Sequence, residues 1–289
     1  MDLRSALREA MERLRAAQVP SHALAAELLL MHALGRDRAW IYAHPEEPLD
    51  PAAAENYFAF VARRAAGEPV QYITGKQEFW GLEFEVTPAV LIPRPETEHV
   101  IEVALARLAA SGALPTTPWR IADACTGSGC LAVALALELP RAEVFATDIS
   151  GPALEVARRN AGRHGVLARV HFLESNLLEA LLHESRPFDL VVSNPPYVAT
   201  GEASALPPDV REHEPPVALF AGPTGIEIYA RLIEQAAALV HPGGIFVAEL
   251  GYGSAERVRE MFRVKQWRNV SATNDLTGIP RVIAAERAD

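Results

Sequence analysis

The stretch Ile121-Ala-Asp-Ala-Cys-Thr-Gly-Ser-Gly129 decides the fold. It starts as a short apolar run of strand length and breaks at Gly127 and Gly129. It then passes into Cys130-Leu-Ala-Val-Ala-Leu-Ala-Leu-Glu138, an apolar stretch that reads as a helix. A strand that enters a helix through a glycine turn is the opening of a βαβ unit. Downstream, strands are expected at 119–125, 143–148, 170–175, 188–193, 245–250, 269–274 and 281–286, and helices at about 128–139, 152–164, 226–240 and 254–263. Strands as apolar as Phe188-Asp-Leu-Val-Val-Ser193 and Ile245-Phe-Val-Ala-Glu-Leu250 are buried on both faces, which means a mostly parallel sheet between two layers of helices. No helix fits between the last two strands, so the final one enters antiparallel. The expected fold class is α/β, a doubly wound sheet ending in an antiparallel hairpin.

Upstream the pattern changes. Before residue 70, apolar positions recur at helical spacing: Leu3, Leu7, Met11 and Leu14, then Leu24, Leu28 and Met31. Pro20-Ser21 separates the two helices, with Ser21 as a candidate cap. Asp50-Pro51 starts another helix, which carries Tyr57, Phe58, Val61 and Ala65 and stops at Gly67. Residues 1–69 are thus expected to form a small all-helical domain. Within 70–90, alternation on both sides of Trp80-Gly81 predicts a β-hairpin connector. Residues 91–289 complete the α/β domain, beginning with a helix that carries Val100, Ile101, Ala104, Leu105 and Leu108 and ends near Gly112.

Composition narrows the function classes. The 289 residues are 49% apolar and 22% charged, a globular balance. A formal charge of −10 argues against a protein that coats nucleic acid through its phosphates. The two cysteines, Cys125 and Cys130, offer neither a disulfide framework nor zinc spacing, and no apolar leader or 18-residue apolar run is present. The expectation is a cytoplasmic protein that does not engage a membrane.

Three features fall where a doubly wound sheet binds ligands, beyond the carboxyl ends of its strands. The first is the turn Asp123–Gly129. Its glycines permit a tight bend and close backbone approach to a ligand, but it lacks the G-x-G-x-x-G spacing of dinucleotide binders. The second is Asp148, 21 residues after Gly127, which can accept both hydroxyls of a ribose or, alternatively, cap the following helix. Together these point to a nucleoside-bearing cofactor and leave nicotinamide and sulfonium chemistry both open. The third feature decides between them. Phe188–Ser193 runs into Asn194-Pro195-Pro196-Tyr197, where two prolines remove two N–H donors and leave carbonyls. Asn194 adds a side-chain acceptor and Tyr197 an aromatic wall, so the turn suits a planar –NH2 group.

Amide nitrogens are poor nucleophiles because their lone pair is delocalised into the carbonyl, as the ~18–20 kcal/mol rotation barrier of a peptide bond shows. The Asn194 side-chain oxygen and the Pro195 carbonyl can take the two N–H protons and aim the nitrogen at a sulfonium methyl. Positioning of this kind is worth about 7–11 kcal/mol. No histidine base is needed, because the methylated nitrogen is more acidic and loses its proton afterwards. A carboxylate in place of the amide would leave the acceptors unpaired, at roughly 1–3 kcal/mol for each buried group.

These residues, with Gln71-Tyr-Ile-Thr-Gly75, Leu91-Ile-Pro-Arg-Pro-Glu-Thr-Glu98, Glu214-Pro-Pro-Val-Ala-Leu219 and Asp275-Leu-Thr-Gly-Ile-Pro-Arg281, resemble the peptide chain release factor glutamine methyltransferases over nearly the whole chain. Asn-Pro-Pro-Tyr alone is shared with adenine-N6 DNA methyltransferases, whereas Pro93–Glu98 differs in the ribosomal-protein glutamine methyltransferases. The resemblance implies a Rossmann-like methyltransferase sheet. It also implies methyl transfer from S-adenosylmethionine to the Gln of the Gly-Gly-Gln motif in class 1 release factors. It places Cys125, Thr126, Gly127, Ser128 and Gly129 along the methionine part of the cofactor, and Asp148 at its ribose. Asn176 and Leu177 fall at the adenine, where the family commonly has Asp-Trp, and Asn194 borders the cofactor as well. Asn194, Pro195, Pro196 and Tyr197 would hold the Gln. The helical domain and the hairpin would meet the release factor, with no metal and no direct nucleic-acid contact.

Other residues carry plainer expectations. Arg94 and Glu96 tie the hairpin to the catalytic domain, and Cys125 and Cys130 pack the core. His213-Glu214 belongs to a loop that covers the substrate. Glu249 either borders the site or caps a helix toward Gly251. A non-catalytic cofactor- or RNA-binding module is the alternative from a different class; it has no use for Asn194 and Tyr197.

Overall fold

In the computed structural model, which describes residues 1–110, 116–263 and 265–289, Asp2 accepts from the Ser5 amide at 2.8 Å and starts α1 (Leu3–Ala16). Leu3, Ala6, Ala10 and Leu14 follow at three- and four-residue spacing on its buried face. Helices are numbered in chain order: α2 (His22–Leu34), α3 (Arg38–Ala43), α4 (Pro51–Ala65) and α5 (Val70–Thr74) come next. Asp50 takes the Ala52 and Ala53 amides at the head of α4, with Pro51 in its first turn, as expected.

The expectations for α2 fail in two places. Ser21 makes no capping bond and adopts a left-handed conformation (φ 50°), so its side chain does not reach the helix amides. The buried face is Ala25, Ala26, Leu29 and Leu30, and Leu24 and Leu28 are exposed. Both stripes of α2 are apolar. The one carrying alanines is buried with α1 and α4, because small side chains allow closer helix approach. One unit of the chain comprises Met1–Lys76 together with Pro207–His213, which contains α9 (Pro208–His213). Within this unit the buried Arg64 guanidinium reaches Asp209 at 3.2 Å and the carbonyls of Gly67 and Glu68. His213 therefore lies in a helix, not in the expected loop.

The second unit comprises Gln77–Leu206 and Glu214–Asp289. The hairpin strands are β1 (Lys76–Phe79) and β2 (Leu82–Glu85). Phe79 and Phe84 from these strands are fully buried in the core on one face of the main sheet. Next comes α6 (Glu98–Ala110); its expected end near Gly112 lies outside the described residues. The main sheet contains β3 (Arg120–Ala124), β4 (Glu143–Asp148), β5 (Val170–Glu174), β6 (Phe188–Ser193), β9 (Val240–Glu249), β10 (Trp267–Asn274) and β11 (Pro280–Arg287). The strand order is β10-β11-β9-β6-β3-β4-β5. Every pairing from β5 to β9 is parallel, and β11 runs antiparallel to both β9 and β10, as the missing helix implied. The helices α7 (Cys130–Glu138), α8 (Gly151–Arg163), α10 (Pro216–Leu219), α11 (Glu227–Leu239) and α12 (Ala255–Arg259) join them. Of these, α12 is shorter than the expected 254–263. A small parallel pair, β7 (Val198–Ala199) with β8 (Phe220–Gly222), was not foreseen. Its strands are too short to carry a periodic signal. Among the described residues no helix is long and apolar enough to cross a membrane.

Buried Asn160 of α8 joins the hairpin to the glycine turn. Its side-chain oxygen accepts from the Glu85 amide at 2.7 Å, and its nitrogen donates to the carbonyls of Glu85 and Ser128 at 3.0 and 2.9 Å. All three polar contacts lie within the second unit, so the hairpin braces the turn that ends β3.

Candidate active site

The order of the sheet reverses at β3. The chain moves outward through β4 to β5, then returns to β6 on the other side of β3. Because these strands are parallel, Cys125, Asp148, Ser175 and Asn194 emerge at one edge, where a cavity of about 310 Å3 opens. That volume is in the range of small-ligand sites.

The two glycines of the turn serve different ends. Gly127 has φ 53°, and a Cβ there would meet nothing within 4 Å, so the backbone lies bare toward the cavity. Gly129 has φ 81°, and a Cβ there would sit 3.0 Å from that of Ala157 in α8. It permits close packing of turn and helix and does not line the cavity. Asp123, fully buried beneath the turn, accepts from Thr126 Oγ1 at 2.6 Å and from the Ala132 amide at 3.2 Å, both through Oδ2. Burial pushes its carboxyl up to about 7. Burial likewise raises both thiols, that of Cys130 to about 12, so they are neutral packing groups.

Asp148 settles the question of capping. Its oxygens accept from the Gly127 and Ser150 amides, each at 2.9 Å, whereas α8 is capped by Ser150, which takes the Ala153 amide at 3.2 Å. Asp148 is thereby clamped to the glycine turn with carboxylate lone pairs to spare on the cavity wall. Burial raises its pKa, and the amides from Ser150 and Gly127 oppose that rise. Asn176 and buried Leu177, at φ 58°, line the same cavity beyond β5.

Asn194 and Pro196 line the cavity too, and Pro195 and Tyr197 do not. The Asn194 side-chain nitrogen donates to Thr97 Oγ1 at 2.9 Å, and Thr97 Oγ1 donates to Glu249 Oε2 at 2.5 Å. Tyr197 turns its hydroxyl to Glu249 Oε1 at 3.0 Å. A Cβ on Gly251 would come within 2.9 Å of the Tyr197 ring, which explains glycine there. Glu249 caps no helix. It leaves β9 next to β6, one residue past the pairing of Ser193 with Ala248, and burial raises its pKa against the bonds from Thr97 and Tyr197.

Two family profiles match the chain: "PrmC N-terminal domain" over residues 5–75 and "Methyltransferase small domain" over residues 102–206. The release factor glutamine methyltransferase of Koribacter versatilis is 46% identical over 287 residues, covering 99% of each chain. That of Moorella thermoacetica is 45% identical over 290 residues, covering all of both chains. The chain belongs to the release factor glutamine methyltransferase family. It is an enzyme, a methyltransferase, and the non-catalytic reading falls. A methyltransferase from Pyrococcus furiosus shares the fold, with a TM-score of 0.51 at 17% identity over 79% of this chain and 98% of the other.

For this family member, the residues named from the sequence make up part of the cavity wall, and other lining residues, Thr97 and Arg231 among them, were missed. Thr97 was visible only inside the motif Leu91–Glu98, and Glu249 was left between two roles. Arg231 of α11 lines the cavity and pairs with Glu179 at 3.2 Å. Helical periodicity gave no signal for it. Arg94 ion-pairs with the buried Glu214 carboxylate, which also lies within 3.4 Å of the Ile92 amide. Glu214 thus anchors the Pro93–Glu98 segment, and the residues after it, Pro215, Val217 and Ala218, line the cavity.

Proposed function

We propose that this chain transfers a methyl group from S-adenosylmethionine to the side-chain nitrogen of the Gln in the Gly-Gly-Gln motif of class 1 release factors. One observation carries the reading: Asn194 borders the same cavity as Asp148 and the bare backbone of Gly127. The names of relatives at 45–46% identity support the protein substrate.

The residues present suit the cofactor. Asp148, already oriented by two amides, offers lone pairs to a ribose diol. The Cys125–Ser128 part of the turn fits beside the methionine portion, and Asn176 and Leu177 fit beside the adenine. When bound, S-adenosylmethionine supplies an electrophilic methyl on a sulfonium. The chain does the rest by positioning. Asn194 takes one N–H of the incoming Gln through its side-chain oxygen, and the carbonyl of Pro195, which stands between the lining residues Asn194 and Pro196, takes the other. With both protons held, the Gln nitrogen faces the cofactor in a fixed orientation, and water is kept from the reacting atoms. Tyr197, whose phenol is raised by burial and by Glu249, stays protonated and serves as a brace for Glu249.

The helical unit is assigned to substrate recognition, the hairpin to connection, and residues 91–289 to catalysis. A cytoplasmic location suits the two unpaired thiols. The test is a transfer assay with labelled S-adenosylmethionine. A release factor should gain one methyl, and a variant with Ala in place of that Gln should gain none. Labelling of duplex DNA or of a ribosomal protein in preference would overturn the reading.

A further inference from the structure

The carboxamide of an asparagine has nearly the same shape when its nitrogen and oxygen are exchanged, yet the two ends have opposite hydrogen-bonding character. For Asn194 the difference decides which substrate is welcome. With its oxygen toward the cavity it accepts from an amide N–H; with its nitrogen there it donates, and a carboxylate becomes the better partner. Something must hold one orientation.

The structure supplies it in a chain of three groups. An ionised carboxylate can only accept, so the Thr97 hydroxyl spends its one proton on Glu249 Oε2 at 2.5 Å. Thr97 Oγ1 can then only accept, and what it accepts is the Asn194 amide nitrogen at 2.9 Å. Exchanging the ends of Asn194 would set two lone-pair-bearing oxygens against each other. Glu249 is itself held. Its Oε1 takes the Tyr197 hydroxyl at 3.0 Å, and its backbone carbonyl takes the Tyr229 hydroxyl at 2.8 Å. Both Thr97 and Glu249 are almost fully buried, so water does not compete for these bonds.

We propose that Thr97 and Glu249 form a positioning relay that locks the Asn194 side-chain oxygen toward the substrate and so makes the site select a side-chain amide over a carboxylate. This rests on the reading above, in which Asn194 receives the target Gln. Glu249 does not line the cavity and Thr97 lines it beside Asn194; both are positioning residues that act through Asn194.

The test uses the full chain with its release factor, and with a second release factor carrying Glu in place of the Gly-Gly-Gln glutamine. Thr97→Val removes the hydroxyl and keeps the shape, Thr97→Ala removes it without adding any group, and Thr97→Ser keeps it. Both hydroxyl-free variants should lose about thirtyfold or more in kcat/KM, with S-adenosylmethionine affinity within about threefold of wild type. Inhibition by the Glu-bearing factor should strengthen by about fivefold relative to binding of the Gln-bearing one, and Thr97→Ser should restore both readouts to within about threefold. If Thr97→Val or Thr97→Ala keeps wild-type discrimination between Gln and Glu, or if Thr97→Ser fails as they do, the relay is refuted. Wild-type enzyme that methylates the Gln, with Thr97→Val and Thr97→Ala discriminating Gln from Glu as well as it does, would sink the relay alone. Wild-type enzyme that leaves the Gln unmodified would sink the parent reading and the relay with it.

Discussion

The Asn194 side-chain nitrogen donates to Thr97 Oγ1 at 2.9 Å, joining residues 97 positions apart in the chain. Through that bond, the turn after β6 is fastened to the segment ahead of α6 and to Glu249 at the end of β9. Three separate parts of the chain, the turn after β6, the segment ahead of α6 and the end of β9, thus meet at one point.

Asn194→Ala removes the acceptor proposed to orient the Gln. Methyl transfer should fall by about a hundredfold or more, or about 2.7 kcal/mol of barrier. Cofactor affinity should change far less, because Asp148 and the glycine turn remain. Steady-state methylation alongside calorimetric titration with S-adenosylmethionine separates the two. Equal losses in both would place Asn194 in cofactor binding alone.

The paired glycines should part company on substitution. Gly129→Ala combines φ 81° with a Cβ 3.0 Å from that of Ala157, so it should cost stability, about 1–3 kcal/mol. Gly127→Ala meets no protein atom within 4 Å, so beyond backbone strain its cost should appear as weakened cofactor binding. Urea unfolding and cofactor titration of both variants check this. A Gly127 variant with wild-type cofactor affinity would remove that turn from the site.

Activity should depend on the ionisation of Glu249, whose pKa is raised by burial; the hydroxyls of Thr97 and Tyr197 and the charge of Arg281 oppose the rise, and Glu96 adds to it. Protonated Glu249 no longer obliges Thr97 to donate, and Asn194 loses its fixed orientation. The acid limb of the kcat profile should therefore lie above the usual carboxylate range, with activity lost as pH falls through it. Whatever activity Glu249→Gln retains should lack that limb. An unchanged limb in this variant would assign the titration elsewhere.

Asp123 makes a separate prediction about stability. Its folded-state pKa of about 7 lies above the ordinary carboxylate value, so between the two the folded chain binds more protons than the unfolded one. Its contribution is fully present at low pH and is lost as pH rises toward 7, at up to about 1.4 kcal/mol per pH unit. Asp123→Asn, which can still accept from Thr126 and Ala132, should flatten the dependence. Melting temperatures of both proteins across pH 4–8 test this, and parallel curves would contradict it.

Strand and helix order was legible because buried strands and glycine turns leave local marks: Ile121–Gly129 and Phe188–Tyr197 each reveal a strand and the turn that ends it. Asp148 was legible for the same reason. Other features depended on tertiary choice. Nothing local shows that α2 buries Ala25 and Leu29 while exposing Leu24 and Leu28, since both faces are apolar. Glu249 reads equally well as a cap or a wall until β9 is placed beside β6. Thr97 joins the site through two bonds that span 97 and 152 residues, a separation that no periodicity reports. Tyr197 was expected to wall the pocket, and its ring instead packs on Gly251 with its hydroxyl on Glu249.

A crystal structure with S-adenosylhomocysteine and a Gly-Gly-Gln peptide measures the central claim directly. The Gln side-chain nitrogen should lie within hydrogen-bond distance of both the Asn194 side-chain oxygen and the Pro195 carbonyl, facing the cofactor sulfur. A Gln turned to solvent, or bound through its oxygen to the Asn194 nitrogen, would contradict the account.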